Sequence, residues 1–419
     1  MAAEQDEARR IGEVIRHARV LARRTQGEVA AALGYHQSKV SRLEQGRGTE
    51  DLRVLRAVAA ELRIPLATIG LAPAPHAGGS DRETADVHRR TFLAAGVGSL
   101  ALPASSSGYG ELVRALLPGV PSATAAGRGS LPELARRMAR LRGLFTSCDY
   151  GELEMRLPPL IADLKVMATD VSEASSLLAA AYQTSASLLL KHGDHGHAWL
   201  AVGRAMAEAE RSGDPIVLAS SIRVQAHLLA REGHATEAVV LVRHGVDQAS
   251  DSCDRWSPRH LAVWGMLLLR GVTAAATGGD RDSAKDFLRE AREIAVRMPA
   301  SHPDVWSNFG QVNVELHAVN ASVLLGDAGL ALRTARPLMR RRILVPERRA
   351  ALWTDVARAH SQQGRLSEGC QALRIAESCA AQDVRRPAVR ELVADMAVRD
   401  RHRAVPELHR FSRQLGVAV

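Results

Sequence analysis

The 419-residue chain is predicted to be all-α, on three observations. Hydrophobic residues make up 46% of it but aromatics only 3%, and Ala, Leu, Arg and Glu dominate, a mixture that suits helices and starves strands. Near the N-terminus, apolar residues recur at helical spacing between glycine stops. Over the last two thirds, the stops themselves recur. The length exceeds what one compact core serves, so two or three domains or one repeat array is expected. An all-β or doubly wound α/β fold is disfavoured by the same composition.

The first helix runs from about Arg10 to Ala22, with Ile11, Val14, Ile15, Ala18 and Leu21 on one face. Thr25 opens the second: its side chain caps the free amides, Glu28 stands in capping-box position, Val29, Ala30 and Leu33 face inward, and Gly34 stops it. A third follows from about His36 to Gln45, with Val40 and Leu43 apolar and Gly46 at its end. Short helices meeting at a glycine make a helix-turn-helix. A recognition helix enters the major groove first turn leading, which puts Gln37, Ser38, Lys39 and Arg42 within reach of base edges. Between Arg9 and Arg47 nine basic residues face three glutamates, so this stretch carries two thirds of the chain's net charge of +9. That excess leans toward an anionic partner such as nucleic acid.

The segment from Thr25 to Gly46 resembles the lambda-repressor-like (xenobiotic response element) DNA-binding family, through Thr25-Gln26, Leu33-Gly34, Ser38 and Leu43-Glu44-Gln45-Gly46 in register. The resemblance covers about residues 9 to 71 and implies a five-helix DNA-binding domain over residues 1–72. It further implies that Gln26 touches a phosphate, that Gln37, Ser38 and Arg42 face the bases, and that Arg19 and Glu44 form a structural ion pair. The DNA-binding set is therefore Gln26, Tyr35, His36, Gln37, Ser38, Lys39, Ser41, Arg42 and Arg47. Gly27, Tyr35 and His36 depart from the family's usual residues.

Residues 73–130 read as a linker, because Pro73 to Asp86 and Pro118 to Ser130 are rich in Pro, Ala, Gly and Ser. Between them Arg89-Arg90-Thr91-Phe92-Leu93 and an apolar run to Ala104 look like a twin-arginine export signal. A DNA-binding module precedes this segment, so a short packed helix is expected there instead.

From residue 131 onward the chain repeats. Gly193, Gly233, Gly279, Gly326 and Gly364 lie 40, 46, 47 and 38 residues apart. Seven positions before them stand Ala186, Ala226, Val272, Val319 and Ala357; five after, Ala198, Ala238, Ala284, Ala331 and Gly369. Twelve after come Ala205, Gly245, Ala291 and Ala376, with Leu338 the exception. Small residues at fixed places let paired helices approach closely and stack into a solenoid. The pattern resembles the tetratricopeptide family, at spacings longer than its 34 residues. Cys148 to Gly151 then mark the turn of a degenerate first unit, and the helices after Pro387 a cap.

The first helix of each pair should line a concave groove with the residues two, three, six, ten and thirteen before each glycine. That collects, among others, Gln183, Arg223, His227, Asn313, Asn320 and Arg358 as effector-binding candidates, the amides for a peptide backbone and the arginines for a carboxylate. Residues 131–419 are thus expected to bind an effector and to dimerise.

Other patterns weigh less. His192 to His197 carries metal-ligand residue types but coincides with a repeat turn, so no metal is expected. The arginines at 333, 336, 340–342, 348 and 349 read as a solvated face. Four scattered cysteines fit a reducing cytosol, no apolar run approaches a membrane span, and no catalytic motif or cofactor loop appears. The combination resembles the peptide-pheromone receptors of Gram-positive bacteria, a quorum-sensing class. The expectation is a cytoplasmic, homodimeric transcriptional regulator that is not an enzyme and needs no cofactor. It would bind double-stranded DNA at a palindromic operator and respond to a peptide or small molecule. The alternative is a repeat scaffold that recruits a protein partner and is merely tethered to DNA.

Overall fold

The structure is a computed structural model that describes residues 2–21, 24–33, 35, 37–46, 52–62, 64, 107–119, 129–250, 256–299 and 308–417. Its secondary structure over these residues is helical throughout. The chain divides into two compact units, Met1–Leu100 and Ala101–Val419. His36, Arg47, the side chain of Ser38, Cys253 and the Arg89–Ala104 segment lie outside the described residues.

The N-terminal unit has four described helices: α1 (Ala2–Leu21), α2 (Gln26–Ala32), α3 (Gln37–Glu44) and α4 (Leu52–Glu61). Ile11 and Ile15 of α1, Val29 and Ala30 of α2, Val40 and Leu43 of α3, and Leu55 and Val58 of α4 meet in one core. The capping box on α2 is complete: Glu28 N donates to Thr25 Oγ1 at 3.2 Å, and Thr25 N to Glu28 Oε2 at 2.6 Å. Two orphan amides are thereby satisfied.

In the second unit α5 (Ser107–Leu116) lies within the stretch expected as linker, yet its Leu112 and Leu116 are buried in the core of the repeats. Its last carbonyls accept from Lys165 Nζ at 2.6 Å and Arg204 Nε at 2.7 Å, cations well placed at a helix C-terminus. Six helix pairs follow: α6 (Leu131–Ser147) with α7 (Tyr150–Met167), α8 (Ser172–His192) with α9 (His195–Ser212), and α10 (Pro215–Arg231) with α11 (Ala235–Ser250). Then come α12 (Pro258–Thr277) with α13 (Arg281–Arg297), α14 (Gln311–Leu324) with α15 (Ala328–Met339), and α16 (Pro346–Gln362) with α17 (Leu366–Cys379). After these stand the one-turn α18 (Ala381–Val384), then α19 (Pro387–Arg399) and α20 (Pro406–Gln414).

All five recurring glycines are left-handed, with φ between 75° and 90°, and each sits at the turn within a pair. A side chain there would be strained, which is why glycine recurs. At the first turn Cys148 adopts the same conformation, with φ 62°. The small residues spaced around the turns are buried where paired helices touch. A Cβ on Gly369 would lie 3.3 Å from Ala357 O of the paired helix, a tight contact that glycine avoids. Although no continuous apolar run marks it, α12 is long and apolar enough to cross a membrane; 72% of that window is buried inside the fold.

The array also closes on itself, which the repeat pattern does not announce. Lys191 of α8 donates to Glu347 Oε1 of α16 at 2.9 Å and to Asp383 Oδ1 of α18 at 2.7 Å. Tyr150 OH donates to the same Asp383 oxygen at 2.9 Å. The amides of Tyr150 and Gly151, at the start of α7, donate to the side-chain oxygen of Gln382. The second helix of the first pair is thus capped from the far end of the array.

Candidate nucleic-acid interface and central cavity

In the N-terminal unit α1 and α2 hold α3 from behind. Arg19 of α1 grips Glu44, at the end of α3, through Nε to Oε1 at 2.5 Å and Nη2 to Oε2 at 2.9 Å. Gln26 Nε2 donates to Glu44 Oε2 at 2.8 Å. The Glu44 side chain is only 4% exposed. Burial alone would push its carboxyl up, but the hydrogen bonds from Arg19 and Gln26 outweigh that and hold it below the ordinary value. Gln26, expected on a phosphate, therefore also ties α2 to α3. A Cβ on Gly12 would lie 2.7 Å from Leu43 O and Gly46 N, so α1 crosses the end of α3 at backbone distance. Composition and periodicity carried no hint of that.

With Val40 and Leu43 buried, Gln37, Lys39 and Arg42 stand exposed and Ser41 half-buried on the outer side of α3. Lys39 Nζ lies 4.3 Å from the centre of the Tyr35 ring, so the two side chains share one surface. Arg9, Arg10 and Arg16 are exposed on α1. Arg24, counted among the basic residues of this stretch, is engaged internally by Glu61 and the carbonyl of Glu28.

The second unit contains a partly open cavity of about 300 Å³. One position lines it in every pair from α8 onward: six residues before each turn glycine stand Ser187, His227, Thr273, Asn320 and Arg358. Arg223 is on the wall as well. Gln183 and Asn313 are not, which corrects the expectation that they face the groove. Gln183 is buried between helices, donating to Val217 O at 3.2 Å and Ser221 Oγ at 2.8 Å. Asn313 is buried against Met266, donating to its Sδ at 3.4 Å.

The physical reason is register. Ten residues before the glycine faces the cavity on α10 as Arg223, but on α12 and α16 the position nine before does so, as Arg270 and Asp355, and on α14 both do, as Leu316 and His317. Helices of 3.6 residues per turn packed at different angles do not keep one phase over three turns. Reading both positions would have found these residues. Arg348 and Glu347, a further turn back on α16, and Arg386, ahead of α19, complete the charged wall. Arg348 was expected on a solvated face; it points inward, while the arginines at 333, 336 and 340–342 are exposed.

Carboxylates neutralise one part of this wall. Asp355 accepts Asn320 Nδ2 at 3.0 Å and Arg358 Nη1 at 3.1 Å, and Glu347 accepts Lys191. Burial pushes His317 down to about 3, with Arg348 adding to it, and its Nδ1 donates to Asn313 O at 2.9 Å. His227 is held well below its ordinary value by burial and then by Arg270, Arg231 and Arg223. Both rings are uncharged at neutral pH. The histidines around Gly193 face separate carboxylates: His192 meets Glu154, His195 Glu232 and His197 Asp194.

Residues 10–68 match a family model described as a helix-turn-helix domain. No curated protein matches the chain.

Proposed function

From a chain that carries a helix-turn-helix DNA-binding domain, we propose a sequence-specific transcriptional regulator of the lambda-repressor-like type, whose tetratricopeptide-like unit binds an effector and controls operator binding. The observation that carries this reading is the helix-turn-helix match over residues whose α3 leaves Gln37, Lys39 and Arg42 exposed. The charged cavity in the second unit supports the sensing half. The protein acts in the cytoplasm as a homodimer on a palindromic operator, and it is not an enzyme. A dimer engages both half-sites only when its recognition helices are about 34 Å apart or a multiple of that. An effector that changes the packing of the repeats alters that spacing.

Genomic footprinting of cells producing the protein, with and without an extract of the native culture, tests the reading. Protection of a palindromic site that changes with the extract is the expected result. Unchanged protection, with a protein partner copurifying in stoichiometric amount, would replace the sensor by a tethered scaffold.

A further inference from the structure

We propose that the cavity takes a small, multiply charged oxyanion, a phosphorylated or polycarboxylic metabolite, held by Arg223, Arg270 and Arg348. This inference rests on the sensor reading above and names the chemistry of its effector.

The argument begins with charge that is left uncompensated. Arg223, Arg231, Arg270, Arg348, Arg358 and Arg386 line the cavity together with Lys191, and the carboxylates on the same wall are Glu347 and Asp355. Those two are committed: Glu347 to Lys191 and Arg348, Asp355 to Asn320 and Arg358. Among the described residues neither Arg223 nor Arg270 has a carboxylate or a hydrogen-bond partner, and Arg270 Nε is a buried donor left unsatisfied. Burial and then the neighbouring Arg348 lower Arg223 to about 10; burial, Arg223 and Arg348 lower Arg270 to about 9. Both therefore remain cations at neutral pH while repelling each other. Buried cations left unpaired are costly, and a fold that keeps them has another use for them.

Guanidinium forks bind oxyanions through paired, charge-assisted hydrogen bonds. One carboxylate, such as a peptide C-terminus, neutralises only one of the two unpaired groups, Arg223 and Arg270, so the ligand carries at least two charges, with Arg348 beside them as a further donor. The cavity's size, about 300 Å³, is at the small end for a ligand site and sets a metabolite-sized occupant. Met266 and Leu316 on the same wall give apolar surface to the remainder of the molecule, and the neutral His227 offers a ring N–H.

Calorimetric titration of the full chain at constant ionic strength tests this with pyrophosphate, citrate, acetate and an uncharged capped peptide. Saturable binding of one pyrophosphate or one citrate per chain is expected, with none of acetate or the peptide. Preference for pyrophosphate or for citrate assigns the phosphorylated or the polycarboxylic source. Arg223→Gln with Arg270→Gln should weaken binding more than about tenfold. Exposed Arg289→Gln, and Arg42→Ala on the DNA-binding unit, should leave it unchanged. Unliganded, the double variant should melt at or above the wild-type temperature, because two repelling cations are gone; lost binding then cannot be lost folding. No saturation by either polyanion, binding retained in the double variant, or binding of the capped peptide instead would each overturn the proposal. Polyanion binding that leaves operator affinity unchanged would sink the sensor reading and leave the ligand class standing.

Discussion

Glu44 shows how much one residue of the N-terminal unit does. It is a nearly buried carboxylate that two other helices reach, through Arg19 and Gln26, so it sets the position of α3 relative to both. Arg19→Met leaves that charge buried and unpaired, and should cost about 3 kcal/mol in thermal unfolding followed by circular dichroism. The sign of the pH dependence follows. Because the Glu44 carboxyl is depressed on folding, its contribution is present above the unfolded value and is lost as pH falls through the folded one. Arg42, exposed on α3, is expected to act on DNA alone: Arg42→Ala should lose about 1 to 3 kcal/mol at one base pair, read by binding-site selection, with no change in melting temperature. The Arg19–Glu44 contact was legible only through resemblance, since the two residues are far apart in sequence and nothing local pairs them. The second task of Gln26 was not legible, because a hydrogen bond across a helix crossing leaves no periodic trace.

At the level of the element, local rules carried the reading far. The capping box at Thr25 and Glu28, the inward faces of α2 and α3 and the left-handed glycines all depend on neighbours within one turn of chain. Contacts between elements were less visible. Gly12 looks like an ordinary helix-weakening residue in sequence, yet it is where α1 touches the backbone of α3. Gly12→Ala would improve helix propensity by about 1 kcal/mol in isolation. In the fold it should instead destabilise the unit by about 1 to 3 kcal/mol, since backbone cannot yield as a side chain can; chemical denaturation of the full chain checks the sign. The groove residues divided along the same line. Six before each glycine is close enough to the turn to keep its phase, whereas ten and thirteen before are not, and Gln183 and Asn313 turned into helix contacts for that reason.

For the molecule as a whole, closure of the array is the decisive feature. Lys191 joins α8 to α16 and α18, so Lys191→Met leaves Glu347 and Asp383 without their shared cation, each keeping one arginine, Arg348 and Arg386, and should cost about 3 kcal/mol, the low end for a broken buried pair. All five tryptophans, at 199, 256, 264, 306 and 353, belong to the second unit, so their fluorescence in urea follows the loss there alone. The same signal tests the cavity histidines. Both are depressed on folding, so their contribution is present above about pH 6.5 and falls as pH drops, for His317 until about 3. The slope should not exceed about 1.4 kcal/mol per pH unit for each ring. A second unit equally stable at pH 7 and pH 5 would mean that neither ring is shielded as the structure has it.

The sequence by itself determined the helical class, the helix-turn-helix and its exposed side, the repeat turns and the small residues that pack around them. Each of these rests on interactions a few residues apart, where side-chain type and backbone preference act directly. Only the tertiary structure decided that α5 belongs to the repeats, that the array closes, and which charged residues share the cavity. Those outcomes depend on helix crossing angles and on contacts between segments some two hundred residues apart, such as Tyr150 with Asp383. They are properties of packing, which no local pattern encodes.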